Sequence, residues 1–143
     1  MNWQIESEDQ LQKLAHAILE RFPKERVFLL IGDMGSGKTT LIKQICTALG
    51  VVSAMGSPSF AVVNEYFSPE RGKIFHFDLY RVKSDRELAE LGFSEYLESG
   101  HYCFIEWPDL GKDFYDDFLV VQILMQGEVR RIIVSKDVNY EST

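Results

Sequence analysis

The 143-residue sequence predicts an α/β fold, an open mixed sheet flanked by helices and carrying antiparallel hairpins. Three observations predict it. An unbroken apolar run, Val27-Phe28-Leu29-Leu30-Ile31, has the composition of a strand buried on both faces. It leads into Gly32-Asp33-Met34-Gly35-Ser36-Gly37-Lys38-Thr39, which fills the pattern G-x-x-x-x-G-K-[ST] completely. Beyond it, from Thr40 to Leu49, Leu41, Ile42, Ile45, Ala48 and Leu49 recur at helical spacing, and Gly50 supplies a stop.

The remaining elements follow in chain order. Trp3 to Ile5 reads as a short strand. Ser7-Glu8-Asp9-Gln10 is a capping-box start, with Gln10 three residues after Ser7. Leu11, Leu14, Ala15, Ile18, Leu19 and Phe22 then form one apolar stripe of a helix ended by Pro23, suited to cover one face of the sheet. Val51 to Ser57 is expected to be a loop, and Pro58 keeps its neighbours out of a helix. Phe60 to Phe67 and Lys73 to Tyr80 form a hairpin with a five-residue turn, Ser68 to Gly72. In its second strand Ile74, His76, Asp78 and Tyr80 share one face, and Phe75, Phe77 and Leu79 the other. Ser84-Asp85-Arg86-Glu87 is a second capping box, opening a helix that Gly92 interrupts, and Phe93 to Leu97 makes another short helix. Tyr102 to Ile105 is a buried strand delivering Glu106-Trp107-Pro108 at its C-terminal end. Leu119 to Met125 and Val129 to Val134 close the chain as a hairpin.

Composition bounds the rest. The length suits one domain, residues 1–143, and an apolar content of 45% is ordinary for a globular protein. No apolar run reaches membrane-spanning length, and the N-terminus is amphipathic, so no membrane role is expected. Cys46 and Cys103 fall inside predicted elements and read as reduced core residues, which suits a cytoplasmic setting. A net charge of −7, with only Arg130-Arg131 adjacent among the basic residues, disfavours direct gripping of nucleic acid.

The glycine-rich stretch sits between strand and helix, the context that makes it a phosphate-binding P-loop. Gly32, Gly35 and Gly37 let successive N–H groups converge on a β-phosphate at the positive end of the following helix. Lys38 would reach the β- and γ-phosphates, Thr39 would hold Mg²⁺, and Thr40 would bond the α-phosphate. Such a site needs an acidic group near the metal, and Asp78 and Glu106 are the two carboxylates at strand ends. His76 reads either as a partner of Asp78 or as a structural histidine. Trp107 reads as stacking on a base or packing in the core, and the residues alone favour packing. Ser59 either offers a hydroxyl near the metal or shapes a turn after Pro58.

Guanine-nucleotide markers are missing: Asp78-Leu79-Tyr80-Arg81 ends in arginine where Asp-x-x-Gly is required, and no Asn-Lys-x-Asp occurs. A small P-loop kinase for a metabolite or nucleotide is the rival reading, but the chain is short for an acceptor segment and an arginine-bearing lid. A nucleotide-dependent binding module without turnover is a further one.

Gly32 to Thr40, Ser57-Pro58-Ser59-Phe60, Asn64-Glu65-Tyr66, His76 to Arg81 and Ile105-Glu106-Trp107-Pro108 occur in the order and spacing of the TsaE (YjeE) family. The resemblance covers nearly the whole chain. It implies a small Mg²⁺-dependent P-loop ATPase that supports threonylcarbamoyl modification of tRNA adenosine 37. The expected partners are the TsaD and TsaB proteins, with TsaD carrying the transfer chemistry and tRNA met only indirectly. Carried over by position, nucleotide binding falls to Asp33, Met34, Gly35, Ser36, Gly37, Lys38, Thr39, Thr40 and Trp107. Asp78 takes a Walker B-like role, Thr39 and Glu106 are linked to the metal, and Ser59 stands in a switch motif where the family usually has threonine. The family also implies adenine near Ser7 to Gln10 and the C-terminal hairpin. The arginines are not expected to be well placed to put positive charge on a phosphoryl-transfer transition state: Arg81 follows Asp78 on a strand edge, Arg71 sits in a turn, and Arg130-Arg131 begin the last strand.

Overall fold

The computed structural model describes residues 1–52 and 62–136. Its seven strands are β1 (Asn2–Ile5), β2 (Val27–Ile31), β3 (Val63–Ser68), β4 (Gly72–Asp78), β5 (Tyr102–Glu106), β6 (Leu119–Gln126) and β7 (Val129–Lys136). They form one sheet in the order β1-β7-β6-β2-β5-β4-β3. The centre is parallel, β2 lying between β5 and β6 and β4 beside β5. Both rims are antiparallel, through the β3–β4 and β6–β7 hairpins and the pairing of β1 with β7. The mixed, helix-flanked sheet expected from the sequence is the one observed.

Alternation along β2 divides the interior into two cores. Phe28 and Leu30 face α1 (Glu8–Arg21) and α2 (Lys38–Ala48), where Leu14, Ile18, Leu41 and Ile45 are fully buried. Val27 and Leu29 face α3 (Asp85–Leu91) and α4 (Phe93–Glu98), packing with Phe77, Ile105, Leu88 and Phe93. A fully buried side chain of this size contributes roughly 1.5–3 kcal/mol, so the two cores dominate stability.

Local signals set the helix ends. The Ser7 side chain accepts from Gln10 N–H, while the Gln10 side-chain oxygen Oε1 accepts from the Glu6 amide at 2.6 Å, one residue earlier than a standard capping box. Ser84 caps α3 by accepting from Glu87 N–H. At the end of α2, Gly50 adopts φ 95°, and the amides of Gly50 and Val51 return to the carbonyls of Thr47 and Cys46, a Schellman motif.

The β3–β4 turn departs from expectation. Ser68 pairs with Gly72, so the loop is three residues, 69–71, where five were expected. The cause is the buried Ser68 hydroxyl, which donates to Leu49 O at 2.6 Å and accepts from the amides of Glu70 and Arg71. These bonds fold the turn tightly against the end of α2. The start of the expected strand at Phe60 lies outside the described residues. No helix among the described residues is long and apolar enough to cross a membrane.

Candidate functional site

The C-terminal ends of β2, β4 and β5 lie side by side, and their polar end residues meet under the start of α2. The loop after β2 needs glycine for two different reasons. At Gly37, the N-cap of α2, φ is 105°. At Gly32 the need is space, because a Cβ there would stand 2.6 Å from Ser36 Oγ. Gly37 brings no side-chain cap, so the first amides of α2 have no side-chain acceptor. That leaves a donor cluster at the positive helix end, suited to an anion.

Beneath those amides the Thr39 hydroxyl stands 3.1 and 3.0 Å from the two carboxylate oxygens of Glu106. Strand alternation explains the meeting. Tyr102 and Phe104 face the core under α2, and Glu106, two residues further, keeps that face. On the neighbouring strand Ile74, His76 and Asp78 share the same face, with Asp78 in register with Glu106. His76 Nε2 lies 2.6 Å from Glu106 Oε2, both groups buried, and Tyr66 Oη lies 3.5 Å from His76 Nδ1. His76 is therefore a partner of Glu106, not of Asp78 as the strand pattern suggested, because it reaches diagonally across β4 and β5. Asp78 is half-buried at the strand end and accepts from the Tyr80 amide at 3.0 Å. Burial raises the Tyr66 phenol above its ordinary range, and Cys46 and Glu106 add to the effect.

Lys38 is buried. Its ammonium donates to Gly32 O at 2.5 Å and lies 3.4 Å from the centre of the Trp107 ring. Burial lowers its pKa below the ordinary lysine value, opposed by Glu106 and then by Asp78, Asp33 and Asp109. Trp107 joins neither core, which corrects the packing preference drawn from the residues alone. It is the sole described non-glycine residue with positive φ, at 57°, a conformation that costs a bulky residue roughly 1–3 kcal/mol. Its ring also packs on Tyr80, centroids 5.1 Å apart.

The structure thus gathers most of the residues singled out from sequence. Asp33, Met34, Gly35, Ser36, Gly37, Lys38, Thr39 and Thr40 form the loop and first helical turn, and Asp78, Glu106 and Trp107 face them. Met34 is exposed, and the buried Ser36 hydroxyl has no partner among the described residues. Ser59 lies outside the described residues.

Two of the cavities that border the loop lie beside the start of α2. One of about 340 Å³ is bounded by Met34, Thr39, Asp78, Glu106 and Trp107. Another of about 360 Å³ lies between Ser7 and Glu8, Thr40, and Met125 and Glu128 of the C-terminal hairpin. Arg130 stands in the wall of both. Its guanidinium is so close to the loop that a Cβ on Gly37 would meet it at 3.1 Å. Arg130 stands near the start of the last strand, as expected, and that strand carries it to the loop. The signal was available: Arg130 shares a strand face with Ile132 and Val134, both buried under the helices. What the sequence does not carry is the height of that strand relative to the loop.

The donor set fits magnesium. No group of three or more His, Cys, Asp or Glu able to cage a metal occurs among the described residues. A hydroxyl from Thr39 and one carboxylate are instead the sparse oxygen set Mg²⁺ takes when phosphate and water complete its shell.

A family model described as "Threonylcarbamoyl adenosine biosynthesis protein TsaE" matches residues 5–133. A TsaE protein of Aquifex aeolicus is 38% identical over 126 residues, covering 87% of this chain and 88% of that one. A TsaE protein of Haemophilus influenzae is 29% identical over 137 residues, covering 87% and 86%. The crystal structure of Bacillus subtilis YdiB superposes with a TM-score of 0.76 at 25% identity, covering 97% of this chain and 86% of that one.

Proposed function

The chain belongs to the TsaE family of tRNA threonylcarbamoyladenosine biosynthesis proteins, and from that premise we propose that it is a Mg²⁺-dependent ATPase acting on a TsaB–TsaD transferase complex. The observation that carries this reading is the Thr39 hydroxyl on the Glu106 carboxylate, at the mouth of a complete P-loop. In this reading residues 1–143 work as one P-loop ATPase domain.

The roles follow from position. Mg²⁺ would supply positive charge to offset that of the phosphates. Thr39 and Glu106 would hold the metal through the hydroxyl and the carboxylate. His76 fixes the orientation of Glu106 from behind. Asp78, beside Glu106, takes the Walker B-like place and orients the attacking water together with it. Lys38 exchanges Gly32 O for phosphate oxygens, a swap of a neutral for a charge-assisted bond. The adenosine end occupies the cavity between the start of α1 and the C-terminal hairpin.

The net charge of −7 supports leaving tRNA contact to the partners. Two free, buried thiols support a reducing, cytoplasmic setting. The test is to incubate the protein, Mg²⁺ and γ-labelled ATP with and without TsaB–TsaD and tRNA. The reading expects label as free phosphate, released faster with the complex. Label on an organic acceptor would instead make the chain a kinase.

A further inference from the structure

We propose that Tyr66 is a positioning residue for hydrolysis, a role resting on the ATPase reading above: its hydroxyl holds the His76 ring, and through that ring the Glu106 carboxylate. The three side chains come from three adjacent strands, on the sheet face under α2, and they meet along diagonals. In register, Tyr66 of β3 stands opposite Ile74, and His76 of β4 opposite Phe104. Each reaches two residues further. Tyr66 Oη lies 3.5 Å from His76 Nδ1, and His76 Nε2 lies 2.6 Å from Glu106 Oε2. On an antiparallel pair such as β3 and β4, that diagonal is within the reach of an aromatic side chain. The Thr39 hydroxyl closes the line at Glu106.

Counting donors and acceptors gives the line its direction. An ionised carboxylate only accepts, so Nε2, beside Glu106, carries the proton of the neutral ring. The other tautomer would set two acceptors face to face, both groups being buried. Nδ1 is then an acceptor, and the Tyr66 hydroxyl donates to it. Packing alone does not call for that hydroxyl. Tyr66 is half-buried against the core that holds Ile74 and Phe104, where a phenylalanine ring would fill the same space without a polar atom to satisfy.

The two ends of the imidazole are thus fixed by different strands, which stops the ring from turning away from Glu106. His76 occupies Oε2 and leaves Oε1 to the Thr39 side of the site. Groups that orient a functional carboxylate from behind commonly matter by about 10- to 100-fold. Tyr66 stands one bond further back than His76, so the low end of that range applies.

Tyr66→Phe tests this, because it keeps the ring and removes only the hydroxyl. Nitrogen-15 spectra at pH 8, in a His16→Gln, His101→Gln background that leaves His76 as the sole imidazole, read the ring directly. With Tyr66 present, Nε2 should be protonated and Nδ1 should show an accepted hydrogen bond, whose signature Tyr66→Phe should abolish. Single-turnover hydrolysis of Mg²⁺-ATP with TsaB–TsaD and tRNA should fall by about 10-fold in Tyr66→Phe, with Mg²⁺-ADP affinity unchanged by calorimetry. A protonated Nδ1 with Tyr66 present, or an Nδ1 signal that ignores the substitution, overturns the contact. Wild-type hydrolysis in Tyr66→Phe, or an equal loss of ADP affinity, overturns the positioning role and leaves the ATPase reading standing. Wild-type protein that hydrolyses no ATP overturns that reading and the role with it.

Discussion

Thr39 and Glu106, 67 positions apart, meet with the threonine hydroxyl 3.1 and 3.0 Å from the two carboxylate oxygens. One belongs to the first turn of the helix after the P-loop and the other to the end of an adjacent strand. The bond closes the site between helix and sheet. It also explains how residues of ordinary type, scattered along the chain, become one oxygen-donor set.

Glu106→Gln should separate hydrolysis from binding. The amide keeps the shape and one acceptor while losing the charge, and the loop backbone keeps its phosphate contacts. Affinity for Mg²⁺-ADP should change little, while single-turnover hydrolysis should fall by about 100-fold or more. Loss of nucleotide affinity with an unchanged rate for the bound fraction would remove Glu106 from the chemistry.

Lys38→Ala should abolish productive ATP binding in a protein that still folds. The substitution removes a buried ammonium and its bond to Gly32 O, so a small loss of thermal stability is expected alongside. Replacing charge-assisted bonds to phosphate should weaken ATP by about 10- to 100-fold or more. Calorimetry with far-ultraviolet circular dichroism checks both parts. Wild-type affinity in Lys38→Ala would contradict the role given to the loop.

Much of this site is legible in the sequence because it depends on local rules. The loop pattern fixes Gly32 to Thr39, and an apolar strand ending in Glu106 fixes where that carboxylate emerges. Other parts depend on distances between strands, which no local pattern encodes. The strand pattern leaves His76 either a partner of Asp78, on the same face, or a structural histidine, because its partner Glu106 lies on the next strand. The reach of Arg130 to Gly37 depends on how far the last hairpin rises beside the loop. The three-residue turn after β3 has no local signature because the Ser68 hydroxyl bonds a distant carbonyl, that of Leu49.

Trp107 should report nucleotide. Its ring carries the Lys38 ammonium at 3.4 Å, and moving that cation to phosphate changes the surroundings of the indole. Trp3, on β1, should be silent. Fluorescence titration of Trp3→Phe and Trp107→Phe proteins with Mg²⁺-ADP checks this. A response that survives Trp107→Phe and vanishes in Trp3→Phe would contradict the geometry of the site.

The two thiols should resist modification until the protein unfolds. Burial pushes Cys46 and Cys103 up to about 12 from an ordinary 9.0. Folded protein at pH 8 should show almost no reaction with a disulfide reagent, and denatured protein should titrate both cysteines. The same shift ties stability to pH. The unfolded thiols lose protons above about 9 while the folded ones keep theirs. Their stabilising contribution is therefore complete below that pH and is lost as pH rises towards 12. Rapid labelling of the folded protein, or stability independent of pH across that window, would contradict the burial described.

In the proposed function this chain would be an ATPase whose site its partners complete. Efficient phosphoryl transfer needs positive charge on the γ-phosphate, often an arginine supplied in trans and worth about 10³–10⁵ in rate. The most direct test is single-turnover release of phosphate from Mg²⁺-ATP by the purified protein, alone and then with TsaB–TsaD and tRNA. Slow release alone, well below the ~1–10³ s⁻¹ of typical enzymes, with a clear gain on adding the complex, is the predicted result. Fast release by the isolated chain with no gain from the complex, or no release under either condition, would contradict it.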